Sequence, residues 1–355
     1  MIRVIRGFGG NYSPRAFLAR RGQNRYDADI QFLLLELRMS IHLSGSLAYD
    51  RIMTFPGKFE DHIIPEKLHI LNVCFLIDRV EEKRGGTAGN IAFNLALLKE
   101  KPRICTSVGK DFDDYARALE GLGLPLDGIR RLSQTFTACA HITTDQLGNQ
   151  ITGFSPAAMN TPCDPAFLPK PVEGDWAVVS PGNMDDMVEL PALFRSHKTP
   201  YIYDPGQQVP ALGAERLLSG FTGAEALIGN DYEIELIMKM TGLTRAQILE
   251  RVGYLITTLG ANGSMIYKKD WESPRRIAAV KVANVADPTG AGDAYRAGLV
   301  KGLHSGLDME TSAELGAVCS SFCIEKYGTQ EHGFNRESFT ARYEATYGDM
   351  PELQW

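Results

Sequence analysis

The sequence predicts an α/β fold, with a mainly parallel central sheet, helices on both of its faces and a small β lid beside it. Three observations carry this expectation. Short apolar runs of strand type alternate with segments of helical periodicity along most of the 355 residues, and repeated β-α alternation builds a parallel sheet. Glycine turns open helices near 85–90 and 290–293. Two stretches, about 49–84 and 136–155, show no helical periodicity and are assigned to the lid.

The bulk numbers agree with one large α/β domain. A formal net charge of −6 argues against a nucleic-acid partner. No apolar run approaches the roughly 20 residues of a membrane span, so no membrane partner is expected. The six cysteines, at 74, 105, 139, 163, 319 and 323, form no C-x-x-C pair and accompany no histidine cluster. That pattern speaks against metal or disulfide frameworks and suits a reducing cytoplasm. Monomer and homodimer both remain open.

Taken in order, residues 1–38 hold seven arginines, no lysine and one serine. They suit an organelle leader, a dinucleotide turn at Gly7–Gly10, or an extension upstream of a start at Met39. The third reading is favoured, because 40–45 reads as a first core strand. The domain then spans 39–347, followed by a tail at 348–355. Strands are expected at 51–55 and 72–77, and a helix at 91–99 opened by Gly85-Gly86-Thr87-Ala88-Gly89-Asn90. A strand at 104–108 and a helix at 111–122 follow. Strands at 136–144 and 150–154 flank a hairpin-like turn at 145–149. Next come a strand at 176–180, a helix at 184–196 and a strand at 201–204. Strands at 227–229 and 254–258 lead into Asn230-x-x-Glu233 and Thr258-Leu259-Gly260-Ala261-Asn262-Gly263. A strand-like run at 281–286 enters Asp287-Pro288-Thr289-Gly290-Ala291-Gly292-Asp293, and a helix follows at 294–304. The last helices are placed at 309–326 and 336–347.

Five places along the chain carry candidate chemistry. A helix start leaves its first N–H groups without partners, and glycines there let backbone amides close on an anion. Gly290, Ala291 and Gly292 therefore suit a phosphate. Asp293 is either a capping carboxylate or a general base for phosphoryl transfer. Asp50, past the first strand, is either a solvated loop residue or a ligand contact at the carboxyl end of a parallel sheet. Paired glycines at 85 and 86 let a polyol approach the backbone, and Asn90 both donates and accepts. Asn230 and Glu233, one helical turn apart on one face, read by themselves as a helix start with an acidic first turn. The Thr258 stretch reads by itself as a glycine turn of a hairpin. No Walker G-x-x-x-x-G-K-[ST] string occurs.

The Asp287–Asp293 string resembles the C-terminal signature of the ribokinase-like (PfkB) carbohydrate and nucleoside kinases, D-T-x-G-A-G-D, with Pro288 at the second position. The other elements follow in the family's order. The resemblance implies a ribokinase-like fold and an ATP-dependent kinase, with Asp293 as catalytic base and Gly290, Ala291 and Gly292 as anion hole. It implies that Asp50, Gly85, Gly86 and Asn90 hold substrate hydroxyls. It puts Asn230, Glu233, Thr258, Gly260 and Gly263 on ATP, with Glu233 ordering Mg²⁺ through water. Asp287 and Thr289, with Tyr327-Gly328-Thr329-Gln330, would cradle a monovalent cation. The serine often found beyond is replaced by Glu331-His332, which leaves a K⁺ requirement open. The stretches 149–154 and 203–208 look like those of bacterial members labelled adenosine kinase or PfkB sugar kinase. The expected acceptor is thus the 5′-hydroxyl of adenosine or a similar nucleoside. The alternatives are a free sugar such as ribose or fructose, and a non-catalytic ligand-binding relative, against which Asp293 argues. Phe154 and apolar residues around Leu47 are expected at the base.

Overall fold

Alternate side chains of a strand point to opposite faces, so a sheet covered on both sides must be apolar at successive positions. The runs 176–179, 201–203 and 226–228 meet that demand in a computed structural model, which describes residues 40–164, 166 and 171–355. The 1–38 expectation lies outside the described residues. In chain order the strands are β1 (Ile41–Ser44), β2 (Ala48–Thr54), β3 (Arg79–Gly85), β4 (Arg103–Val108), β5 (Ile129–Arg131), β6 (Ala138–Thr144), β7 (Gln150–Ser155), β8 (Trp176–Val179), β9 (Tyr201–Tyr203), β10 (Ala226–Asn230), β11 (Tyr254–Thr258), β12 (Ser264–Tyr267) and β13 (Arg275–Ile277). The helices are α1 (Thr87–Leu97), α2 (Asp113–Gly121), α3 (Asp186–His197), α4 (Val209–Phe221), α5 (Asp231–Thr241), α6 (Arg245–Leu249), α7 (Ala291–His304), α8 (Met309–Cys323) and α9 (Arg336–Tyr347).

Nine strands form the large sheet in the order β13-β12-β11-β10-β9-β8-β1-β4-β5. From β11 to β5 every pairing is parallel, and β12 and β13 add an antiparallel edge. Neighbouring residues of one strand serve different cores. Ile202 packs with α1, α2 and α7 to α9, while Tyr201 and Tyr203 pack with α3 to α6. From β1 the chain moves to β4 on one side and later returns to β8 on the other. That reversal opens a crevice at the carboxyl ends of the strands, where open α/β sheets take ligands. Beside it stands a four-stranded sheet, β3-β2-β6-β7. It joins the two distant stretches through a parallel register from Ala48↔Ala138 to Thr54↔Thr144.

Several expected elements differ. The run at 72–77 is not a strand. Two 3₁₀ turns, Phe59–Asp61 and Pro65–Ile70, precede it, and Phe75 instead anchors a ring cluster, 4.8 Å from Phe55 and 5.1 Å from Phe59. The run at 281–286 is also irregular. Val282 and Val285 line the cleft, while Ala283 and Ala286 stay exposed. Helices α1 and α7 begin four and three residues earlier than expected, at Thr87 and Ala291, because the glycine turns themselves supply the first helical turn. The 348–355 segment is no free tail. Leu353 is buried and the Trp355 ring lies 5.4 Å from Phe339.

Candidate active site

Gly290 caps α7 with φ +80° and offers no side chain to the first-turn amides. A Cβ there would also meet Thr329 Cγ2 at 2.9 Å, so glycine alone suits the position. The Gly292 amide is thereby left for an anion in the cleft, while Ala291 N donates to Pro288 O over a long 3.3 Å. Asp293 lies in that same first turn. Burial pushes its carboxyl up to about 7, aided by Asp204 and Glu233 and opposed by the Asn90 hydrogen bond and Arg296. A carboxylate balanced near neutral pH matches the requirement for a general base.

Asn90, at the start of α1, donates from Nδ2 to Asp293 Oδ2 at 2.8 Å. Gly86 brings it there with φ +86°, where a Cβ would strike the Ser46 carbonyl at 2.5 Å. Beneath the turn, Arg296 pairs with Asp204 and donates to Gly292 O at 2.8 Å. Both partners are buried, and burial holds the Asp204 carboxyl above its usual range despite the guanidinium. This pair braces the floor of the anion turn. Sequence reasoning missed it. The available signal was an arginine inside the apolar run Ala294–Val300, since buried arginines are found paired.

One cleft of about 1300 Å³ gathers most of the predicted residues: Asp50, Gly86, Asn90, Asn230, Glu233, Thr258, Gly260, Gly263, Thr289, Gly290, Ala291, Gly292 and Asp293. Asp50 reaches it from β2 and not from a loop, and burial raises its carboxyl. Gly85 and Asp287 stand outside this lining. Gly85 packs behind Asp50, where a Cβ would meet Oδ2 at 2.8 Å. Asp287 faces a second cavity of about 180 Å³ together with Lys83, Tyr327 and Gly328. Its carboxylate accepts from Thr289 N at 2.9 Å and Gly328 N at 3.0 Å, which ties the two loops together. Although burial raises the Asp287 carboxyl, these bonds hold it below the usual range. Phe154 lines the cleft, but Leu47 does not: it is buried in the core, and Ser46 and Ala48 face the cleft in its place.

Asn230 and Glu233 complete a reciprocal cap on α5: Glu233 N donates to Asn230 Oδ1, and Asn230 N to Glu233 Oε2, each at 2.8 Å. The helix-start role is therefore real, and the same pair faces the cleft. Among the described residues no group of three or more His, Cys, Asp or Glu side chains is placed to hold a metal. Among the cleft carboxylates, Glu233 beside Asn230 fits Mg²⁺ carried mainly by phosphates and water. His332 is not in the cleft lining. Its Nε2 meets Asn94 Oδ1 at 2.8 Å, while Asn94 Nδ2 donates to Asn90 O at 2.9 Å. The amide orientation makes His332 the donor, and burial lowers its pKa to about 4.

A sheet crevice with an amide turn, a poised carboxylate and a long cleft defines a phosphotransferase of the kinase class. The chain belongs to the pfkB family of carbohydrate kinases, whose family model matches residues 61–334. It is similar to a nucleoside kinase of Methanocaldococcus jannaschii, 31% identical over 268 residues that cover 75% of this chain and 87% of the relative. It is also similar to the structure of Burkholderia thailandensis nucleoside kinase in complex with inosine. That likeness has a TM-score of 0.75 and 34% identity, and covers 88% of this chain and 100% of the other. The same enzyme in complex with ADP-inosine gives a TM-score of 0.74 and 34% identity, over 89% of this chain and 98% of the other. Among the described residues no helix is long and apolar enough to cross a membrane.

Proposed function

We propose that this chain is an ATP-dependent nucleoside kinase acting on the 5′-hydroxyl of adenosine or a related nucleoside. The observation that carries the reading is the pairing of two surfaces in one cleft. Asp50, Asn90 and Asp293 supply polar contacts for a ribose, and Ala140, Phe154 and Met159 supply an apolar wall beside them. A ribose bearing a base uses both surfaces, whereas a free sugar uses only the first. The relatives' names, and inosine in the Burkholderia complex, support the nucleoside reading.

In this reading Asp50 and Asn90 hold the ribose, backed by the Gly85-Gly86 turn. Asp293 removes the proton of the primary hydroxyl as its oxygen attacks the γ-phosphorus of ATP, and ADP leaves. The Gly290–Gly292 amides stabilise charge on the transferring phosphoryl. Thr258, Gly260 and Gly263 lie along the nucleotide, and Asn230 and Glu233 face its phosphates. Mg²⁺ would be held on those phosphates through water from Glu233. Asp287 and Thr289 are the residues suited to a monovalent cation. A thermal-shift screen separates the substrates: adenosine or inosine should raise the melting temperature by several degrees, and ribose or fructose should not. Stabilisation by free sugars alone would overturn the nucleoside reading.

A further inference from the structure

The two ends of an asparagine amide are alike in shape and opposite in chemistry, so its surroundings must decide which end meets Asp293. The decision runs back to a backbone carbonyl. The Tyr115 hydroxyl donates to Gly85 O at 2.8 Å, and a carbonyl can only accept. The single phenolic proton is thus committed, and Tyr115 Oη must accept from its other neighbour. That neighbour is Gln330 Nε2 at 2.8 Å, which gives its second proton to Asn90 Oδ1 at 3.0 Å. With Oδ1 accepting, Asn90 turns Nδ2 towards Asp293. Tyr115, Gln330 and Asn90 are all buried, and of the three only Asn90 lines the cleft, so water competes little for the Tyr115 and Gln330 groups. Gly89 allows the arrangement, because a Cβ there would meet Tyr115 Oη at 1.9 Å.

We propose that Gln330 is a positioning residue for phosphoryl transfer. Through Asn90 it holds one Asp293 oxygen with an amide donor and leaves the other oxygen for the acceptor hydroxyl. This inference rests on the reading of Asp293 as general base. A reversed Asn90 amide would set Oδ1 against the carboxylate and favour its protonated, inactive form. The other groups facing Asp293 are Arg296 on α7, Asp204 after β9, Glu233 on α5 and Cys323 on α8. Variants at 330 change none of them. Gln330→Met also adds no charge, so a moved pH profile in that variant reports the relay, whereas Gln330→Glu also raises the Asp293 carboxyl through its own charge.

The test compares Gln330→Glu and Gln330→Met with wild type across pH 5–9, with nucleoside and ATP both varied. Neither replacement, with the glutamate ionised, can donate to Tyr115 Oη and Asn90 Oδ1. The expected result is a kcat about tenfold lower or more at pH 7. The acidic limb of kcat/KM should also move up by about one unit, with KM for ATP unchanged. In an Asn90→Ala background, Gln330→Met should cost no further kcat. A lower melting temperature with an unmoved acidic limb would mean a merely structural role and overturns the proposal. If both variants fail to fold, Tyr115→Phe carries the test, with the same direction expected and an unchanged profile counting against it. Asp293→Asn separates the two levels. If it retains near wild-type turnover, the base assignment and the relay both fall. If it is inactive while the Gln330 profiles match wild type, only the relay falls.

Discussion

Asp293 is set between opposing demands. Ionisation is needed to accept a proton, yet burial disfavours the charge and raises the carboxyl to about 7. The sign of the stability effect follows. A carboxyl raised from about 3.8 contributes most to folding below pH 4, and its contribution is lost as pH rises towards 7. Asp293→Asn should therefore melt increasingly above wild type between pH 4 and pH 7, with the difference level at higher pH. The same variant should bind both substrates and lose on the order of 10²–10⁴ in kcat, as expected for a missing general base. A calorimetric series over pH, with single-turnover kinetics, checks both. A variant less stable than wild type at pH 8 would mean that the buried charge is better compensated than Arg296 and Asn90 suggest.

At the scale of elements, the anion turn depends on how closely α7 and α8 approach. A Cβ on Gly298 would meet Leu315 O at 2.5 Å, and one on Gly316 would meet Tyr295 O at 2.6 Å. Gly298→Ala should push the helices apart and destabilise by about 1–3 kcal/mol, as overpacked cores do. Turnover should fall with it, because the turn at 290–292 rides on α7. Denaturant melts and kcat at 25 °C check this, and an unchanged melt would mean that the helices separate at no cost. The four-stranded sheet gives a second expectation. Its β2 and β6 pair in one sheet over the substrate end of the cleft, and we propose that it acts as a lid. Saturating adenosine should slow hydrogen exchange in β2 and β6 together and leave β4 in the central sheet unchanged. Protection in one strand alone would contradict a shared lid.

Across the whole molecule, the readable parts were those with strong periodicity or glycine punctuation. β11 and α9 fall at the expected bounds, Tyr254–Thr258 and Arg336–Tyr347. Gly290, Gly292 and Asp293 were legible as one anion-suited helix start because that geometry is local to a single string, while the base role for Asp293 came from the resemblance. The misread parts depend on partners far away in sequence. The 72–77 run has strand composition, but its phenylalanine is claimed by Phe55 and Phe59. α4 escaped notice because Gly213, with φ +70°, interrupts its helical dihedrals. Arg296, Tyr115 and Gln330 act through contacts 92, 30 and 240 residues distant, with Asp204, Gly85 and Asn90 respectively, and no local pattern announces them. In the proposed reaction the cleft's two surfaces hold one substrate. This is tested most directly by incubating the protein with Mg-ATP and either adenosine, inosine or ribose, and following ADP release and the phosphorylated product by ³¹P NMR. The expected result is a nucleoside 5′-monophosphate formed stoichiometrically with ADP, and kcat/KM for a nucleoside at least about tenfold above that for ribose. Equal or faster turnover of ribose, or a phosphate on a secondary hydroxyl, would contradict it.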